Sequence, residues 1–503
     1  MVSSGMRGAG RRGRYAVLPA LLLSLLVAGA PAVADTTTTM DDAGTSTATA
    51  GPDDASATTS APPTTQAQAR PRTRVLTHPL GQVADGPEPD GATLTEAISD
   101  ELDSDWLGPA RRRAVTVRDA LTGDVLASRN ADRPVTPAST AKLLSAAAIV
   151  TGLPVDSTFT TRVVRGAEPG QIVLVAGGDM LLARGEGDPD AVAGRAGVGD
   201  LAAQAAEALQ EQGVTGPVEV ALDLQHVAGP HALRTWTDYW VSEGYTGRIV
   251  QIGLEEDRAL PQLPSPRDPE QEAARAFVAA LEEHGVEVAD GDGPDDPGWD
   301  AEVVEAPAGA EVLASVESAP VRDVLALALA TSDNAMVEQL ARQAAVAAGR
   351  SADQEAVTAW IVDTVEQDYG IDMTGLTLAD ASGLSGGTRL TVDVVAEVLV
   401  DGADGSHPAL QSVLAAGGLP IAGYTGTLHD RFHLPVHAAA VGNARAKTGS
   451  LPHVTSLAGT VVTADGRLLV YAMTADDIGE DGAVLEARSS LDEVVAQLAR
   501  CGC

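Results

Sequence analysis

The chain has 503 residues, 44% of them hydrophobic, enough to bury the cores of two or three domains. Its 70 acidic against 33 basic residues give a formal charge of -37, which repels phosphate backbones and anionic lipid and argues against nucleic-acid binding. Charge of that size bears on solubility and habitat and says nothing of catalysis.

At the N-terminus Arg7, Arg11, Arg12 and Arg14 precede an apolar run over 15–29, and Ala32-Val33-Ala34 stands before Asp35. This is the pattern of an export signal, so residues 1–34 are read as a signal peptide and Asp35 as the start of the mature chain. The apolar run falls short of the roughly 20 residues that span a bilayer, which favours cleavage over an uncleaved anchor. No cysteine follows it to carry a lipid. Residues 35–90, rich in Thr, Ala, Pro, Asp and Gly, have little to bury and are expected to form a disordered spacer.

Val115-Thr116-Val117, a turn at Thr122-Gly123-Asp124 and Val125-Leu126-Ala127 predict a β-hairpin. Past Pro137 an Ala- and Leu-rich stretch without breakers predicts a buried helix from near Ala138 through Val150, with Ser139 in its first turn. Over 161–312 the texture changes to short apolar strands, such as 172–175 and 218–222, between Gly-, Pro- and Asp-rich turns. One amphipathic helix lies among them, near 201–211, and the segment reads as an inserted α+β domain. From Val321 helical patterns return, up to about Leu399. Strands follow around 444–449 and 454–463, then a turn at Ala464-Asp465-Gly466, a third strand over 468–473 and a last helix ending near Leu498. The order fits an α/β (α+β) chain: an antiparallel sheet flanked by helices, whose early part (91–160) and late part (313–500) share one domain. Cys501 and Cys503 are the only thiols; they are expected to brace no core and, lacking further Cys or His ligands, to form a disordered tail rather than a metal site.

Of the 33 Lys and Arg residues only Lys142 and Lys447 are lysines. An arginine stays protonated, whereas a buried lysine can give up its proton and act as a base, or serve as a compact point charge. Lys142 follows Ser139 by one helical turn, close enough for the amine to reach the hydroxyl, which places a nucleophile beside its base. The plainer alternative is a surface lysine near a serine by chance. Lys447-Thr448-Gly449-Ser450 lies on a predicted strand, where lysine and hydroxyl can hold a substrate carboxylate and Gly449 lets a substrate backbone lie close. Ser332-Asp333-Asn334 interrupts two helical stretches, 321–329 and 335–343. Its Ser and Asn can point the same way, one relaying a proton and the other gripping an amide, although the same residues also spell an ordinary helix cap.

Taken in order, Ser-x-x-Lys, Ser-x-Asn and Lys-Thr-Gly resemble the three motifs of penicillin-binding proteins and serine β-lactamases. The long gap from Ser139 to Ser332, the segment Asp380-Ala381-Ser382-Gly383-Leu384-Ser385, and Gly426-Thr427-Leu428 ahead of Arg431-Phe432 make residues 95–500 similar to one subgroup. That subgroup is the class C low-molecular-mass penicillin-binding proteins, D-alanyl-D-alanine carboxypeptidases and endopeptidases. The resemblance implies a penicillin-binding-protein/β-lactamase-like transpeptidase domain with an inserted domain in the gap, here short for the subgroup. Asp333 stands where the family commonly has Asn.

The resemblance also implies roles. Ser139 would attack the penultimate D-alanine carbonyl of a peptidoglycan stem peptide, with Lys142 taking its proton. Ser332 would pass a proton to the leaving D-alanine, Asn334 would bind the substrate amide, and Lys447 with Thr448, beside Gly449, would hold the terminal carboxylate. Backbone N–H groups of Ser139 and Ser450 would form the oxyanion hole. No cofactor or metal is implied; β-lactams are implied as inhibitors that acylate the same serine, in an exported protein of the cell-wall space. An endopeptidase acting on cross-links would use the same residues. A serine β-lactamase shares the motifs, but its class A form lacks an insertion of this size, and a non-catalytic wall-binding or β-lactam-sensing module has no need of both lysines.

Two further patterns are set aside. Gly383-Leu384-Ser385-Gly386-Gly387 spells a nucleophile elbow without the helix that must follow at once. His429, His433 and His437 recur every four residues, but Pro435 breaks the helix that a metal-binding face would need.

Overall fold

The computed structural model describes residues 86–289, 299–479 and 483–502. The expected signal peptide, the spacer up to residue 85 and Cys503 lie outside the described residues. Among the described residues no helix is long and apolar enough to cross a membrane.

The predicted hairpin forms from strands Arg113–Asp119 and Val125–Arg129, and its turn places Gly123 at φ 74, a left-handed conformation that suits glycine. The late segment supplies Arg445–Leu451, Val454–Val462 and Leu468–Ala475. Leu468–Ala475 pairs antiparallel with Arg113–Asp119, Val115 opposite Met473, so late and early segments close one five-stranded sheet. Arg445–Leu451 forms one edge of it and Val125–Arg129 the other.

Side chains alternate across a strand, and each face of this sheet therefore feeds a separate core. Val470 and Ala472 enter one with the helices Lys142–Gly152, Val321–Thr331, Asn334–Ala347, Gln354–Asp368 and Val392–Ala403. Leu469, Tyr471 and Met473 enter the other with Gly91–Leu102 and Ala483–Arg500. Lys142–Gly152 is apolar on nearly every side, and Leu143, Leu144 and Ile149 are all 0% exposed. A helix of that kind has to be enclosed, and each such side chain contributes about 1.5–3 kcal/mol by leaving water.

Between the two halves the chain builds a second five-stranded sheet, ordered Glu302–Val303, Glu219–Asp223, Gln171–Val175, Thr160–Arg165, Val312–Glu317. Gln171–Val175 and Glu219–Asp223 run parallel, while Thr160–Arg165 is antiparallel to both neighbours. The expected helix near 201–211 is Val198–Glu211. A second long helix, Pro269–Glu283, corrects the expectation of one helix here: Asp268 accepts from Gln271 N as its cap, and Ala273, Ala274, Phe277, Val278 and Leu281 bury its inner face. Glutamates in its first and last turns dilute the apolar signal that a periodicity search relies on.

Cys501 also departs from expectation. The last helix runs on to Arg500 and carries Cys501 into the core beneath the sheet, where it is 7% exposed and disulfide-bonded, its backbone carbonyl accepting from Ala464 N at 3.0 Å.

Candidate active site

Ser139 stands on a 3-10 turn, Ala138–Ala141, and Lys142 opens the α-helix that follows. This refines the expected single helix. In a 3-10 turn residues three apart eclipse, and Lys142 Nζ accordingly lies 3.0 Å from Ser139 Oγ. Ala138 holds a left-handed φ of 50, a local strain of roughly 1–3 kcal/mol. Ser456 Oγ pins the turn by donating to Pro137 O at 2.7 Å.

The Lys142 side chain is fully buried and also donates to Asn334 Oδ1 at 2.5 Å and to Ser382 O at 2.7 Å. Burial lowers its pKa to about 8, against the upward pull of Asp380, Glu338 and Asp333. A neutral amine has two hydrogens and one lone pair. Asn334 Oδ1 and Ser382 O can only accept, so they take the hydrogens and leave the lone pair to the Ser139 hydroxyl.

The segment 380–385 is what holds Ser382 O in place. Asp380 accepts from Gly383 N at 2.6 Å, Ser385 N at 2.7 Å and Trp236 Nε1 at 3.0 Å. Glu338, pushed up to about 8 by burial and then by Asp380, accepts from Ser382 N at 2.8 Å. Gly383 has φ 75, and a Cβ there would collide with Ala138 O, so glycine lets this loop lie against the nucleophile's turn. Ser385 is 2% exposed and donates to Thr235 Oγ1 at 2.6 Å, buried in a bend of the loop. His429 hydrogen-bonds Asp430, while His437 ends a 3-10 turn and packs on Phe432, so the histidines share no helix face.

Both readings of Ser332-Asp333-Asn334 hold at once. Val321–Thr331 ends at Ser332 with φ 58, and Asp333 caps the next helix by accepting from Met336 N at 3.0 Å. The break turns Asn334 toward Lys142 and leaves Ser332 on the cleft wall. Asp333 Oδ2 also takes Arg258 Nε at 3.1 Å and Nη2 at 3.0 Å, and Asn334 Nδ2 donates to Tyr245 O at 2.8 Å. Arg258, Tyr245 and Trp236 all come from the 161–312 segment, which thereby forms one wall of the site. No local motif marks them; only the tertiary approach of distant segments does.

Lys447 is also fully buried and donates to Thr448 O at 2.9 Å; burial and then the charge of Lys142 hold its pKa well below the usual lysine range. Lys447 shares its face of the strand with Gly449, the face toward the nucleophile's turn, while Thr448 and Ser450 line the cleft of ≈ 560 Å³ together with Ser139, Ser332 and Asn334. Thr448 Oγ1 donates to Thr427 Oγ1 at 2.8 Å. Gly449 faces the nucleophile, and a Cβ there would stand 2.8 Å from Pro137 O and 3.0 Å from Ser139 N. Ala446 N, on the open edge of this strand, donates to Pro420 O at 3.0 Å. By the two-residue period of a strand, Ser450 N points to the same open edge, on the side of Ser139.

A helix-flanked antiparallel sheet with these three motifs around one cleft is the architecture of the penicillin-binding proteins. Penicillin binding protein 4 (dacB) from Haemophilus influenzae matches the fold with a TM-score of 0.59 at 18% identity, over 81% of this chain and 98% of that one. The sequence pattern of the D-Ala-D-Ala carboxypeptidase 3 (S13) family matches residues 94–265 and 254–498, and the chain belongs to that family. Its relatives include carboxypeptidase Rv3627c of Mycobacterium tuberculosis, 32% identical over 440 residues, 86% of this chain and 89% of that one. Carboxypeptidase DacB of Mycolicibacterium smegmatis is 33% identical over 423 residues, 83% of this chain and 86% of that one.

Proposed function

We propose that this S13-family D-Ala-D-Ala carboxypeptidase works through an acyl-enzyme on Ser139, with Lys142 as the base. The observation that carries the reading is the enclosure of the Lys142 amine, whose only partner able to give up a proton is the Ser139 hydroxyl. Ser139 Oγ bonds to the penultimate D-alanine carbonyl carbon, and the negative oxygen meets the N–H groups of Ser139 and Ser450. The C–N bond then breaks, and the proton held by Lys142 passes through Ser332 to the departing D-alanine amine. Asn334 holds the substrate amide with its remaining Nδ2 hydrogen. Lys447 with Thr448 and Ser450 meets the terminal carboxylate beside Gly449. Water hydrolyses the ester and releases the shortened peptide. The substrates are peptidoglycan stem peptides met after export, with residues 161–312 acting as an inserted domain. β-Lactams acylate the same serine.

Benzylpenicillin is expected to add once, and digestion followed by mass spectrometry should place the adduct on the peptide containing Ser139. A diacetylated Lys-D-Ala-D-Ala peptide should lose D-alanine under conditions where nitrocefin turns over slowly. An adduct on another peptide, or rapid nitrocefin turnover without D-alanine release, contradicts the reading.

The pH profile follows from the base. An amine with a pKa of about 8 is neutral in about a tenth of molecules at pH 7. Acylation should therefore rise with pH from about 6, with a midpoint near 8, and level off above about 9. A flat second-order acylation rate over that range would rule out Lys142 as the titrating base.

A further inference from the structure

Three arginines line the cleft, Arg258, Arg431 and Arg488. Two are neutralised: Arg258 lies 3.0 Å from Asp333 and Arg431 2.5 Å from Asp492. Arg488, on the helix Ala483–Arg500, differs. Among the described residues no carboxylate forms an ion pair with it, and its side chain makes one hydrogen bond, from Nη2 to Ser450 Oγ at 2.9 Å. Arg431 Nη2 donates to the Arg488 backbone carbonyl at 3.2 Å, which fixes the residue. Burial, and then Arg431, hold the Arg488 pKa below its ordinary value against the upward pull of Asp492, which is itself paired with Arg431.

A half-buried guanidinium without a counter-ion is unfavourable unless an anion arrives to meet it. The chain cannot readily supply that anion at this spot. Of the carboxylates that line the cleft, Asp333 is engaged by Arg258 and Asp430 by His429, at 2.8 Å. Lys447 is fully buried and its amine already donates to Thr448 O, whereas the Arg488 guanidinium reaches the Ser450 hydroxyl on the cleft wall. The position is also right for the substrate's end: a peptide lying along the open edge, with its scissile carbonyl at Ser139, carries its last residue past Thr448 and Ser450. The Ser450 hydroxyl accepts from Arg488, so its own hydrogen is left to donate onward.

We propose that Arg488, acting with Ser450, binds the free α-carboxylate of the departing D-alanine and sets the preference for an uncapped C-terminus. The assignment rests on the reading of Ser139 as the acylated residue. It is tested with a diacetylated Lys-D-Ala-D-Ala peptide and its C-terminal carboxamide, each presented to wild type, Arg488→Ala and Arg488→Lys. Loss of one charge-assisted contact should lower kcat/KM of Arg488→Ala on the free acid roughly 10- to 100-fold. The value on the carboxamide should stay unchanged and serve as an internal check on folding, while Arg488→Lys should recover part of the loss on the acid. Equal falls on both peptides, or an unchanged preference for the acid, would overturn the Arg488 assignment alone. A wild-type chain that leaves both peptides intact would overturn the carboxypeptidase reading, and this inference with it.

Discussion

Replacing Lys142 by arginine is expected to abolish acylation of Ser139 at every accessible pH, with a loss on the order of 10²- to 10⁴-fold. The expectation does not rest on lost charge. Arginine keeps the charge and loses the ability to give it up. Wild-type Lys142 sits at about 8 because burial outweighs three nearby carboxyl groups, and its hydrogens go to two acceptors that cannot donate. A guanidinium has no lone pair to offer Ser139, and its planar fork does not match the Asn334 and Ser382 acceptors that enclose the amine. The second-order rate of benzylpenicillin acylation across pH is the measurement. The thermal midpoint is read alongside it, since a larger group in a closed core can also cost stability. A Lys142→Arg protein that acylates within about tenfold of wild type would remove Lys142 from the role of base.

Gly449→Ala is expected to be nearly as damaging for a different reason. The added methyl would collide with Ser456 Oγ and stand 2.8 Å from Pro137 O and 3.0 Å from Ser139 N. Pro137 O is pinned by the Ser456 hydroxyl, so relief has to come from separating the edge strand from the nucleophile's turn. That separation widens the space between the N–H groups of Ser139 and Ser450, and losing one oxyanion contact typically costs on the order of 10²- to 10³-fold. Gly386→Ala is the control, since a Cβ there meets nothing within 4 Å. It should acylate as wild type does, and an equal loss in both variants would refute the oxyanion-hole geometry.

The parts of the site that a linear reading can reach are those fixed by local geometry. Ser139 and Lys142 meet because they are three residues apart on a helical turn, and Ser332 and Asn334 share a break between two helices. Lysine is so scarce elsewhere in the chain that Lys142 and Lys447 stand out from composition alone. The strands and most helices follow from runs of apolar residues, and the union of early and late strands from their order. What stays hidden depends on how distant segments meet. Tyr245 O on Asn334, Arg258 on Asp333 and Trp236 on Asp380 join residues with no pattern in common. The burial of the Lys447 amine is hidden for the same reason, because a strand motif does not reveal what packs against it.

The closure of the main sheet by its earliest and latest strands also dictates when the molecule can become an enzyme. The strands of the 160–317 sheet find all their partners within that span, so that sheet can assemble before the C-terminal segment is made. The main sheet has to wait for Leu468–Ala475 to pair with Arg113–Asp119, a contact of very high sequence separation and hence a slow one. During synthesis the Ser139 turn is made early, yet its edge strand is supplied only when the C-terminal segment arrives. A chain stopped short of residue 475 would carry the nucleophile and its base without the sheet that orients them. Such a fragment would expose the unpaired edge of Arg113–Asp119, a surface prone to aggregation.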